Sequence, residues 1–164
     1  MTQEITKVWL NTWGNYNEGR LGYGWKTPDE ALEFIEDNPE RDGGEWFIAD
    51  IDDYIGIDFP NLNYRNVTST LELLQKLEDL DEYERNCLIA VMHDNNCFDI
   101  EEAEDLSDRY AFYESWEAYH ESCEESLCLE TYPEIFRRYF DYVSFYRDCD
   151  FDAREAENGI ILVG

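Results

Sequence analysis

The stretch Val8-Trp9-Leu10-Asn11-Thr12-Trp13-Gly14-Asn15-Tyr16-Asn17-Glu18-Gly19-Arg20-Leu21-Gly22-Tyr23-Gly24-Trp25-Lys26-Thr27-Pro28-Asp29-Glu30 puts two periodicities side by side. Val8 to Trp13 alternates like a strand, Asn15 to Gly19 has turn composition, and Leu21 to Trp25 predicts the returning strand of a hairpin. Thr27-Pro28-Asp29-Glu30 is then a capping box with proline at the first helical position, and Ala31, Leu32 and Ile35 share one face behind it. Asn38-Pro39 ends that helix. Glu45-Trp46-Phe47-Ile48-Ala49 predicts a third strand, so the first module is a small ββαβ unit and the fold class is α+β.

Beyond a loop around Pro60 the pattern turns helical. Ser69-Thr70-Leu71-Glu72 is a second capping box, with Leu71, Leu74 and Leu77 at helical spacing. Another helix is expected from Glu82 to Met92, broken by Asp94-Asn95-Asn96, and a short acidic one from Ile100 to Leu106. Arg109 to Tyr113 predicts a strand, Ser115 caps a helix to about Leu127, and Pro133 starts a helical stretch through the Tyr- and Phe-rich segment. Phe151 to Glu155 and Ile160 to Val163 flank Asn158-Gly159, the dipeptide most favoured in tight hairpins.

The 164 residues carry 40 Asp and Glu against 12 Lys and Arg, a net charge of −28, which excludes a basic nucleic-acid-binding surface. With 43% hydrophobic residues, 16% aromatics and only 4 prolines, the chain can still build a core rather than remain disordered. It holds no run of about 18 apolar residues, so no membrane helix is expected. The opening MTQEITKVWLNTW lacks the basic flank and apolar core of a signal peptide. Five irregularly spaced cysteines fit reduced thiols, and a cytoplasmic location is expected.

The charge is uneven. Residues 99–134 hold 13 acids and one base, Arg109, whereas 135–164 hold 6 acids and 4 bases together with Phe136, Tyr139, Phe140, Tyr142, Phe145, Tyr146 and Phe151. The nearly neutral aromatic end suits burial at a partner surface, although part of it must also serve as core.

Catalytic and metal motifs find little support. Forty carboxylates make many i, i+3 and i, i+4 pairs by chance, so spacing singles out no acid/base pair. Asp148-Cys149-Asp150-Phe151-Asp152 begins like a calcium loop, but Ala153 stands where the sharp turn needs glycine and Gly159 where a bidentate Glu belongs. His93 with Cys97, and His120 with Cys123 and Cys128, match no common zinc spacing. No phosphate loop or nucleophile elbow is present. A non-enzyme without metal or cofactor is expected.

The charge itself remains. Duplex DNA carries one charge per about 1.7 Å of axis, so 28 net charges correspond to about 48 Å of duplex per chain, or about 95 Å for a dimer. Generic solubility or halophilic adaptation also makes proteins acidic. Against it stands Asp99-Ile100-Glu101-Glu102-Ala103-Glu104-Asp105, five acids in seven residues without a counter-charge, which costs a few tenths of a kcal/mol per i, i+4 pair. A chain that carries such repulsion can present carboxylates where a DNA-binding groove expects phosphates. The carboxylates expected to do so are Asp50, Asp52 and Asp53; Glu72, Glu78, Asp79, Asp81 and Glu82; Asp99, Glu101, Glu102, Glu104, Asp105 and Asp108; and Glu114, Glu117, Glu121, Glu124 and Glu125.

Val8-Trp9-Leu10, Tyr16-Asn17-Glu18-Gly19-Arg20-Leu21 and Gly24-Trp25 resemble the opening of the ArdA antirestriction proteins. Pro133, Tyr139-Phe140-Asp141-Tyr142, Arg147-Asp148 and the closing Asn158-Gly159 are similar to that family's C-terminal signature. Glu130 and Tyr146 stand where relatives often have glycine, and the central segment matches only in acidity. The resemblance implies an elongated homodimer of three-module protomers that mimics DNA and occupies the groove of type I restriction–modification enzymes at their methyltransferase core. The modules would be 1–62 (α+β), 63–106 (helical) and 107–164 (mixed α+β with a terminal hairpin and the dimer interface). The family's antirestriction motif would map to Leu129, Pro133, Tyr139, Asp141 and Tyr142, with Phe136 and Phe140 beside it. The alternative target is another DNA-binding protein: a nucleoid protein, a repressor or a CRISPR effector. Neither nucleic acid nor a membrane is expected as a partner.

Overall fold

Alternation in β1 (Lys7–Thr12) sends Val8 and Leu10 into a fully buried core and leaves Trp9 half-buried on the other face, as a pleated strand requires. The computed structural model describes residues 6–52, 57, 65–156 and 158–164. In it β1 is the centre of an antiparallel sheet ordered β2-β1-β3, with β2 at Trp25–Lys26 and β3 at Trp46–Asp52. The chain does not turn straight back after β1. Thr12 Oγ1 accepts from Asn15 N at 3.2 Å and caps the five-residue helix α1 (Trp13–Asn17), where the sequence predicts strand at Trp13 and a turn from Asn15. The return strand is also shorter than Leu21–Trp25. Gly22 and Gly24 have φ of 102° and 89°, left-handed values that interrupt the extended backbone, so only Trp25 and Lys26 keep ladder register with β1.

The helix α2 (Pro28–Asp37) has the predicted cap. Glu30 N donates to Thr27 Oγ1 at 3.3 Å, and Thr27 N donates to Glu30 Oε2 at 3.0 Å. The next helix, α3 (Val67–Asp79), starts earlier than the Ser69 box suggests. Asn66 Oδ1 accepts from Ser69 N at 3.1 Å, which satisfies an orphan donor of the first turn and leaves the Ser69-to-Glu72 pattern inside the helix. Leu71, Leu74 and Leu77 are fully buried, and α3 packs on α2 and β3. The loop expected around Pro60 lies outside the described residues.

These elements belong to the first of two compact units, Met1–Asp81 and Glu82–Gly164. The division falls inside the central stretch 63–106 of the three-module partition. In the second unit, α4 (Glu82–Asn95) buries Leu88 to Met92 consecutively, because it packs on both α5 (Ile100–Ser107) and a sheet. It runs to Asn95, three residues beyond the expected end, and stops where Asn96 takes a φ of 49°. That sheet is antiparallel, ordered β4-β6-β5, from β4 (Tyr110–Tyr113), β5 (Ala153–Ala156) and β6 (Gly159–Val163). Ala90, Phe112 and Ile161 form its buried cluster.

Between β4 and β5 lie α6 (Trp116–Leu127), α7 (Glu134–Arg138) and α8 (Tyr142–Asp150). The stretch predicted as one helix after Pro133 is thus two. Asp141 stops the run by capping a new helix, its Oδ1 accepting from Ser144 N at 3.1 Å. Phe151 closes α8 with helical φ and ψ of −62° and −34°, so the strand begins at Ala153 rather than Phe151. Gly159 pairs with Ala156, which makes it the first residue of β6 and not a turn residue. Among the described residues no helix is long and apolar enough to cross a membrane.

Candidate functional site

A long acidic stretch lies on α5 and α6, and local rules explain why both form despite their charge. Asp99 caps α5 by accepting from Glu102 N at 3.0 Å. Glu101 and Glu102 then sit in the first turn, where the helix dipole favours anions. Ile100 and Ala103 point into the core, while Glu101, Glu102, Glu104 and Asp105 on the helix and Asp108 just after it are exposed. Ser115 caps α6 through Ala118 N at 3.1 Å, Tyr119 is buried, and Glu117, Glu121 and Glu125 share the exposed side at i, i+4 spacing. That spacing puts a carboxylate about every 6 Å along the helix. Glu114 is exposed between β4 and α6.

Ten exposed carboxylates therefore lie between residues 99 and 125, with Arg109 as the one base in that stretch. Among the described residues no Lys or Arg forms an ion pair with any of them; the bases instead pair elsewhere, Arg154 with Asp94 at 3.2 Å and Arg138 with Glu134 at 2.7 Å. Asp50 and Asp52 are exposed on β3, Glu72 and Asp79 on α3, Asp81 between α3 and α4, and Glu82 at the start of α4; Asp53 lies outside the described residues.

Two expected carboxylates are turned inward. Glu78 is half-buried and accepts from Thr6 N at 2.7 Å. Burial pushes its carboxyl above the usual range, opposed by the hydrogen bonds to Thr6 and helped by the neighbouring Asp29 and Asp79 charges. Glu124 is half-buried and accepts from the Tyr146 hydroxyl.

The aromatic end is an apolar surface of a different kind. Phe136 and Tyr139 are 66% and 84% exposed. Leu129 and Phe140 are half-buried and, with Leu127, Tyr132, Phe136, Arg137 and Tyr139, line an open cavity of about 600 Å³. Pro133 precedes α7 and is exposed. Tyr142 is half-buried, its ring 4.9 Å from that of Phe140. Asp141 serves the backbone: besides capping α8 it accepts from Ser144 Oγ at 2.7 Å, and these bonds hold its carboxyl below the ordinary value. Sequence reasoning missed Ile135, Val143 and Tyr132, which are 62%, 79% and 53% exposed on the same segment. The i, i+4 spacing of Ile135, Tyr139 and Val143 was the available signal, although the break at Asp141 places them on two helices.

Asp148 and Asp150 lie in the last turn of α8, not in a loop. Among the described residues no group of three or more His, Cys, Asp or Glu is placed to hold a metal ion.

No curated protein matches the chain. A family model described as "Antirestriction protein (ArdA)" matches residues 8–161, spanning both units and nearly the whole sequence. The uncompensated acidic stretch and the apolar C-terminal segment are therefore features of an antirestriction protein: the chain belongs to the ArdA family.

Proposed function

We propose that this protein acts without catalysis, as an acidic mimic of B-form DNA that occupies the DNA-binding groove of a type I restriction–modification enzyme at its methyltransferase core. One observation carries the proposal: ten exposed carboxylates between residues 99 and 125 meet no Lys or Arg partner among the described residues. Ten charges match about 17 Å of duplex axis. A groove lined with Lys and Arg would supply the missing partners. Carboxylates fixed on helices lose little ordering entropy on binding. Binding energy spread over many screened pairs makes single carboxylates expendable. The exposed apolar segment of α7 and α8 supports a homodimer joined through Leu129, Pro133, Phe136, Tyr139, Phe140 and Tyr142, which would double the acidic length.

A pull-down with purified type I methyltransferase, competed by duplex DNA over a salt series, tests the target. Mutual exclusion with DNA and affinity falling steeply with salt are expected; simultaneous binding, or affinity indifferent to salt, refutes the mimicry. Light scattering at micromolar concentration should give a dimer, reduced to monomer mass by Tyr139→Ala with Tyr142→Ala. A monomeric wild type refutes the interface.

A further inference from the structure

The helices α6 and α8 are bracketed against each other by polar side chains that the acidic surface does not use. His120 Nε2 lies 2.6 Å from Asp150 Oδ1, its ring stacks on Tyr146 at 4.2 Å, and the Tyr146 hydroxyl donates to Glu124. Pairing His120 with Asp150 and Glu124 with Tyr146 runs the two helices antiparallel. Cys123 sits inside this bracket on α6 and Cys149 sits inside it on α8. Both are half-buried free thiols, and Cys123 is a near neighbour of the Cys149 thiol. Tyr119 ties the same place down by donating to Cys149 O at 2.7 Å. The other three cysteines are set apart: Cys97 is buried and donates to Asp99 O at 3.3 Å, Cys87 packs against the Phe112 cluster, and Cys128 is exposed beyond α6.

We propose that Cys123 and Cys149 are an oxidation site, a thiol pair that closes to an intramolecular disulfide under a hydroperoxide. The Cys123 sulfur attacks one peroxide oxygen, the O–O bond breaks, and the other oxygen leaves as water or alcohol, giving a sulfenic acid. The Cys149 sulfur then displaces that oxygen, the S–S bond forms, and a second water leaves with the Cys149 proton. Two thiols are oxidised by two electrons and one peroxide is reduced. The bond would fasten α8, which carries Tyr142 and Val143, to α6, which carries Glu117, Glu121 and Glu125.

The full-length reduced protein is treated with hydrogen peroxide, its remaining thiols are alkylated, and the digest is mapped by mass spectrometry. A single intrachain Cys123–Cys149 linkage is expected, with Cys87 and Cys97 recovered alkylated. A thermal midpoint raised by about 10 °C should accompany it, because closing a loop of this length restricts the unfolded chain. Cys128→Ser should leave the linkage intact. Cys149→Ser should abolish it and expose a sulfenic acid at Cys123 to dimedone. Recovery of Cys123 and Cys149 as alkylated thiols after peroxide, or a linkage joining either of them to Cys128 instead, overturns the proposal without reference to any variant's folding.

Discussion

Gly159 shows how a single position can be fixed by its neighbours rather than by its own backbone. A Cβ there would meet the Tyr113 carbonyl oxygen and come within 2.8 Å of the Phe112 ring, and Phe112 is part of the buried cluster with Ala90 and Ile161. Neither the strand backbone nor a core ring can yield cheaply, so Gly159→Ala should lower stability by about 1–3 kcal/mol, read as a lower urea midpoint with unchanged slope. Glu78 has the opposite sign. Its carboxyl is raised in the folded state by burial first and by the Asp29 and Asp79 charges last, so the folded protein holds this proton more tightly than the unfolded chain does. The associated stability is present below the unfolded value of about 4.5 and is lost as pH rises through the folded one. Glu78→Gln keeps an acceptor for Thr6 N and removes the charge. It should therefore stabilise the protein at pH 7, by less than about 1 kcal/mol given the partial exposure of the site, with the gain shrinking toward pH 4. A gain independent of pH would contradict this account.

At the level of elements, α5 divides its charges unequally. Asp99, Glu101 and Glu102 face the favourable N-terminal end of the dipole, whereas Glu104, Asp105 and Asp108 crowd its unfavourable C-terminal end. Glu101 with Asp105, and Glu104 with Asp108, add like-charge i, i+4 repulsion. Replacing Glu104 and Asp105 by Gln and Asn, together with Asp108→Asn, should therefore raise thermal stability by about 1 kcal/mol while weakening association with a DNA-binding partner. A loss of stability would mean these carboxylates are compensated in the folded state. The same locality explains what the sequence discloses. The cap, box and proline of α2 fall within four residues, Thr27 to Glu30, and its start and end are read correctly. At α3 two caps compete three residues apart, and Asn66 wins over Ser69: its side chain accepts from Ser69 N, which places Val67 and Thr68 already in the first turn. At α7 and α8 the apolar spacing runs through the break, which is visible only in the bond from Ser144 to Asp141. The acidic site is legible as a segment but not residue by residue. Forty carboxylates offer no contrast, and what turns Glu78 or Glu124 inward is Thr6 or Tyr146, partners 72 and 22 residues away.

Across the whole molecule, the charge of −28 divides into 18 acids and 6 bases in Met1–Asp81 and 22 acids and 6 bases in Glu82–Gly164, so each unit is strongly anionic by itself. Self-repulsion then opposes compact folding in both units, and salt relieves it. The Debye length falls from about 30 Å at 0.01 M to about 8 Å at 0.15 M, short enough to remove repulsion between elements while neighbours about 6 Å apart on α6 still interact. Stability should consequently rise over this range, mostly at its lower end, as a thermal midpoint that climbs and then flattens. Binding to a cationic groove must go the other way. Ions condensed around the acidic surface are released on association, and added salt reduces that gain, so log affinity should fall linearly with log salt. Opposite signs in one titration distinguish a charged binding surface from charge that serves solubility alone: the latter also predicts stabilisation by salt, but no affinity to lose. Calorimetry of the free protein and of its mixture with the methyltransferase core, over the same salt series, should show the stability curve rising while the affinity falls. Two curves that rise together would assign association to apolar contacts, and would move the binding site from α5 and α6 to the exposed aromatic face of α7 and α8.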